Sequence, residues 1–413
     1  MSATPHRSGS RSHPSAPEAG QAWRFAAAGL CASLVGLGLA RFAYTPLIPA
    51  LIAAQWFSPS DVIYLGAANL AGYLAGALAA RPLAARTGSI RALRGTMVLA
   101  TLSCLACAMP VAFAWFFAWR FLAGLSGGVI MVLAASTILP HTAPGKRGLV
   151  GGVIFAGVGL GIAASGTLVP LLLQQGLRES WLGLAALSGV LTLVAWPNWP
   201  KADPTTTAHA GANAARPRLS AAIPVLSLQY GLNAVALVPH MVFVVDFVAR
   251  GLGQGIAAGS QYWVLYGLGA VAGPLLTGHL ADRAGFGPAL RVAFLIQAVA
   301  AALPAVTTAP AALIVSCIVI GGFTPGIVPL VLGRIHELIP HGAEAQRAAW
   351  GRATTMFALF QAGAAYGLAA LFDGTGGDYR ILFVIGGTAA ALALAIDLAM
   401  ALTVRARSSG ASS

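Results

Sequence analysis

Two arginines stand inside stretches that are otherwise apolar. Arg41 is the one charge between Phe25 and Ala54, and Arg120 lies in a second run without any acid. A guanidinium in hydrocarbon costs at least ~2.5–3.5 kcal/mol on insertion scales. Each must therefore face protein or water, or snorkel to the headgroups. Arg41 sits about 24 Å into its run and Arg120 about 9 Å from the opposite surface, which brings them to one level. Paired cations at one level repel unless something anionic sits between them. The chemistry expected is recognition of an anion, with Arg41 and Arg120 as a clamp. Tyr44 follows on the same helical face and would donate a hydrogen bond beside them, and Thr45 adds a second hydroxyl.

Other polar residues inside apolar runs are weaker candidates. His240 lies at a depth close to that of Arg41, almost pseudo-symmetric with it, but a lone histidine is as readily a packing residue. Asn69, Gln261, Tyr262, Tyr266, Gln361 and Tyr366 either line the cavity or join helices as interhelical hydrogen-bond partners. Asp246 and Arg250 have the spacing of an i,i+4 pair near the outer interface, and Asp397 reads as structural. Cys104 and Cys107 have redox spacing, yet inside a bilayer helix small-residue packing explains them better. No metal-ligand cluster, nucleotide loop or nucleophile triad is found, so neither a metal, a cofactor nor an enzymatic reaction is expected.

Long apolar helices must position these residues. The chain is 58% hydrophobic and 8% charged, and 50 of its 413 residues are glycine. Soluble domains carry about 25% charge, and close helix packing in lipid favours small residues. Twelve bilayer-length runs occur, near 24–54, 61–80, 95–114, 117–140, 148–173, 179–197, 220–249, 257–280, 289–308, 311–339, 348–372 and 379–403. Residues 1–20, rich in Ser, Pro and Ala, read as a disordered tail, and no cleavable signal is expected.

The net charge of +13 is a topology signal and not a nucleic-acid footprint. Nineteen basic residues fall on one side of the runs and three, Arg178, Arg250 and Arg380, on the other. The positive-inside rule then places both termini and the polar loop 198–218 in the cytoplasm of a bacterial inner-membrane protein. That loop separates a bundle at 24–197 from one at 219–404, flanked by tails at 1–23 and 405–413. The halves repeat: Gly72, Gly76, Arg86, Gly88 and Arg94 recur as Gly269, Gly273, Arg283, Gly285 and Arg291 at an offset of 197. Pro140-His141 and Arg147 recur as Pro340-His341 and Arg347 at an offset of 200. Paired halves are expected of a transporter whose site lies between them.

Three motifs carry a family resemblance. Gly278-His279-Leu280-Ala281-Asp282-Arg283-Ala284-Gly285 resembles the G-x-x-x-D-R-x-G loop of the major facilitator superfamily. Its Asp282 can cap a neighbouring helix N-terminus and pair with arginines, a conformational latch made with Gly278, Arg283 and Gly285. An ordinary basic turn is the alternative. The first-half copy keeps Arg86 and Gly88 but has Ala85 where the family expects Asp. Arg120-Phe121-Leu122-Ala123-Gly124 resembles the fourth-helix R-x-x-x-G, linked in that family to proton coupling. Gly148, Gly157, Gly161 and Gly166 partly match an antiporter motif, although Ile162 replaces its Pro, and a packing groove explains them equally. Arg-Phe-Ala-Tyr-Thr-Pro at 41–46 and Gly-Tyr-Leu-Ala-Gly at 72–76 resemble the YbfB/YjiJ branch.

The resemblance implies an all-α membrane protein of twelve transmembrane helices in two pseudo-symmetric six-helix bundles. It implies alternating access, with helices one, four, seven and ten lining the path. The function expected is secondary active transport of a small organic solute, leaning towards anions and coupled to protons, by a monomer in the lipid bilayer. A transporter-like sensor that binds without transport is the alternative from another class.

Overall fold

The computed structural model describes residues 16–143, 147–200, 222–340 and 343–410. Arg7, Arg11, Lys146, Lys201, Arg216, Arg218, His341 and most of the loop 198–218 lie outside the described residues, and so do the expectations that rest on them. The described chain folds as twelve helical spans. The first comprises Ala16–Ser33, a π-helical stretch Leu34–Phe42, and Tyr44–Ala53. The second to sixth are Pro59–Thr87, Ser89–Ala106, Phe113–Ile138, Arg147–Leu173 and Leu177–Ala195. The seventh begins as Ala222–Val238 and continues through Pro239–Phe243, Val244–Asp246 and Phe247–Gly251. The eighth to twelfth are Gly255–Ala284, Phe286–Val306, Pro310–Leu338, Ala343–Gly374 and Tyr379–Gly410. Eleven spans are long and apolar enough to cross a bilayer by composition alone. The third falls short because Arg91 and Arg94 occupy its first turns.

Several boundaries move from the hydropathy pattern. The third run was expected to reach 114, but its helix ends at Ala106 and the fourth begins at Phe113. The turn between them is apolar, so hydropathy does not register it. Pro110 cannot continue a helix, and the Trp115 indole donates to the Ala106 carbonyl at 3.0 Å, satisfying a helix-end acceptor. Helix also enters both expected tails, starting at Ala16 and running to Gly410.

The first and seventh spans share a distortion. Ala43 N–H bonds the Gly38 carbonyl five residues back at 3.0 Å, the wide turn of a π-helix. Pro46 offers no N–H to Phe42, and Pro239 likewise opens the seventh span where its π-helical stretch begins.

The sequence repeat is also a contact repeat. Gly72 and Gly76 press on the backbone of Phe121 and Leu125, and Gly269 and Gly273 press on Ile318 and Gly322, every pair offset by 197. A Cβ at any of the four would fall on a carbonyl of the facing helix. Gly88 and Gly285 both adopt positive φ, +86° and +80°, and turn the chain directly into the next helix. Between halves, the second span packs on the eleventh, the fifth on the eighth, and the first on the seventh. Two fifth-span glycines serve this packing, Gly166 against Ser260 and Val264 and Gly159 against Val271, whereas Gly161 meets Gly38 of the first span within its own half. Cys31, Cys104, Cys107 and Cys317 are free thiols in the packed interior.

Candidate functional site

The widened turn of the first span delivers Arg41 to the interior, where it is 8% exposed. Its Nη2 donates to Gln361 Oε1 of the eleventh span at 2.9 Å. Its guanidinium lies 4.7 Å from the Tyr73 ring centre and 4.9 Å from that of Phe42. Such cation–π contacts are worth about 2 kcal/mol when desolvated, and they hold the charge away from lipid without a carboxylate. Arg120, 2% exposed, donates from Nη1 to the Ala40 carbonyl at 2.8 Å and sits 4.0 Å over the Tyr44 ring. Neither arginine snorkels.

Both line one cavity, with Phe42, Tyr44, Thr45, Ile48, Gly66, Asn69, Leu70, Met241 and Val242. Its cavity volume is about 20 Å³, room for about one water molecule, so in this conformation it is closed well below the size of a small-molecule site. No carboxylate lines it, and among the described residues none lies within ion-pair distance of either arginine. The spans contributing are one, two, four and seven, while Gln361 of the eleventh reaches the site only through its bond to Arg41. The tenth, expected on the path, does not line this cavity. The small glycines that join spans two and four carry Asn69 inward instead, and its Nδ2 donates to the Arg120 carbonyl at 3.0 Å.

Of the eight residues expected to bind, the structure brings Arg41, Tyr44, Asn69, Arg120 and Gln361 together. Tyr44 has a different part from the one expected. Its hydroxyl donates to the Val62 carbonyl at 2.7 Å, while its ring covers Arg120. Thr45 donates to the Met241 carbonyl at 2.7 Å, which ties the first span to the seventh. His240 is away from the cavity, fully buried, with Nε2 2.7 Å from Ser316 Oγ and its ring edge-on to Phe383. Gln261 is exposed, on the face of its span opposite the buried Tyr262, Trp263 and Tyr266. Tyr266 is buried, stacks on Trp263 at 4.8 Å and bonds Thr324. Sequence reasoning missed Tyr73, although it stands four residues after Asn69 and therefore on the same face.

The ends of the two halves differ. Away from the arginine-rich loops they meet: besides Thr45 and Met241, Tyr64 faces Tyr366 at 6.3 Å and Phe42 faces Trp263 at 6.1 Å. There too Asp246, 1% exposed, takes two bonds from Arg250 and one from Tyr379, the pair the spacing indicated. At the arginine-rich end, Asp282, Arg283 and Arg86 are exposed, and no hydrogen bond or ion pair holds Asp282 among the described residues. The helix N-terminus beside it is capped by another carboxylate. Glu337 Oε1 accepts from the Phe286 N–H at 3.1 Å, and Oε2 pairs with Arg334 at 2.7 Å. Gly278 has open space around its Cβ position. Asp397 pairs with Arg291 and Gln229, a structural role as expected.

A family model described as an uncharacterised MFS-type transporter, YbfB, matches residues 33–398. No curated protein matches the chain.

Proposed function

This chain belongs to the MFS-type transporter family of YbfB and is a membrane transporter, and on that premise we propose that it carries a small organic anion by secondary active transport. The observation that carries this reading is the pair of buried guanidiniums on one cavity without a carboxylate. An anion 4 Å from one of them gains about 4 kcal/mol at an effective dielectric of 20, before desolvation is subtracted. Alternating access is supported by the contrast between the closed outer ends and the unengaged Asp282 at the other end. The basic asymmetry supports placing that second end, both termini and the loop 198–218 in the cytoplasm of a bacterial inner membrane, between bundles at 24–197 and 219–404. The carrier is taken to work as a monomer.

Protons are the proposed partner. Moving an anion inward works against about 2.3 kcal/mol per charge per 100 mV of inside-negative potential, and one proton carried along cancels that term. Purified protein in proteoliposomes tests the reading by counterflow of labelled small organic acids beside their neutral amides, with and without an imposed pH gradient. Acid-selective flux that responds to the gradient is expected. Binding without flux would establish the sensor instead.

A further inference from the structure

The hydrogen-bonding groups around the cavity are not equally spent. The Tyr44 and Thr45 hydroxyls donate to backbone carbonyls, and the Asn69 amide nitrogen does the same. Three buried atoms have no partner among the described residues: Arg41 Nε, Arg120 Nε and Asn69 Oδ1. The bond from Nδ2 to the Arg120 carbonyl fixes which way the Asn69 amide points, so the orphan is an acceptor. Two cationic donors and one neutral acceptor thus stay unmet on residues that line the cavity beside Phe42, Ile48, Leu70 and Val242. Buried groups of this kind cost free energy until a partner arrives.

We propose that the cavity, once it widens beyond the roughly 20 Å³ it encloses in this conformation, takes a small monocarboxylate carrying one neutral hydrogen-bond donor, such as a hydroxyl, on an otherwise apolar body. This rests on the anion-carrier reading above and narrows it. The two carboxylate oxygens take an N–H from each arginine, and the hydroxyl donates to Asn69 Oδ1. An ammonium in place of the hydroxyl would add a third positive charge where no acid lies nearby. A second carboxylate or a row of hydroxyls would meet apolar walls without partners.

The test uses the full-length protein in detergent and reads thermal protection, since a ligand that binds the folded state raises the midpoint by mass action. The probes share one body: 2-hydroxy-4-methylpentanoate, 4-methylpentanoate, 4-methylpentanamide and leucine, with succinate and gluconate beside them. The hydroxy acid should protect at about tenfold lower concentration than the plain acid, and the acid at about tenfold lower than the amide. Leucine, succinate and gluconate should protect least. In Asn69→Leu the hydroxy acid should lose its advantage over the plain acid, while acid over amide persists. Protection by leucine, succinate or gluconate at equal or lower concentration overturns the inference but leaves an anion carrier standing. So does equal protection by the two acids, or protection by none of the probes. An amide as effective as its acid would overturn the anion reading itself.

Discussion

Arg41 donates to Gln361 across 320 residues of chain, from the first span to the eleventh, and the 2.9 Å bond crosses between the two halves. A charge placed there by the N-terminal half is held by an uncharged acceptor of the C-terminal half. An anion that competes for Arg41 therefore competes with an inter-half contact, which links occupancy to the fit of the halves.

Arg41→Gln should insert with normal topology and raise the apparent substrate constant of flux by about tenfold or more. Arg41→Lys should recover only part, because an ammonium lacks the planar fork. Concentration-dependent uptake by both variants decides it, and full activity in both would remove Arg41 from the site.

Tyr44→Phe should transport close to the wild-type rate. Its ring still covers Arg120, and the loss is one bond to Val62, about 1 kcal/mol of stability. Loss of flux at unchanged thermal stability would return the hydroxyl to the substrate.

Gly273→Ala should destabilise by about 1–3 kcal/mol, because the new methyl meets the Gly322 carbonyl. Gly95→Ala has open space around it and should be neutral or slightly stabilising. Thermal unfolding of the pair in one detergent compares them, and equal midpoints would contradict the close approach.

The two carboxylates near the eighth-to-ninth turn should separate by assay. Glu337→Gln should lower thermal stability by about 0.3–1 kcal/mol through its helix cap. Asp282→Asn should leave stability unchanged and lose most transport, because the alternating-access proposal assigns its partners to the opposite conformation. Wild-type flux in Asp282→Asn would end its role as a latch.

A reporter active only in the cytoplasm should work when fused within 198–218 and at the C-terminus. Activity of a periplasm-only reporter at either place would overturn the orientation.

Hydropathy, glycine content and the 197-residue offset determine the fold class and family, because a long apolar helix and a repeated glycine contact are written locally. The cost of burying charge in lipid likewise marks Arg41 and Arg120 as interior before any contact is known. Pairing was decided by tertiary structure. These helices are apolar on nearly every face, so periodicity does not say which side turns inward, and π-helical turns in the first and seventh spans rotate the residues beyond them. Hence Gln361 and Tyr73 meet Arg41, while His240 turns to Ser316 and Gln261 faces out. Glu337, and not Asp282, holds the ninth helix's N-terminus because capping depends on which helix ends lie side by side. Spacing along one chain does not contain that distance.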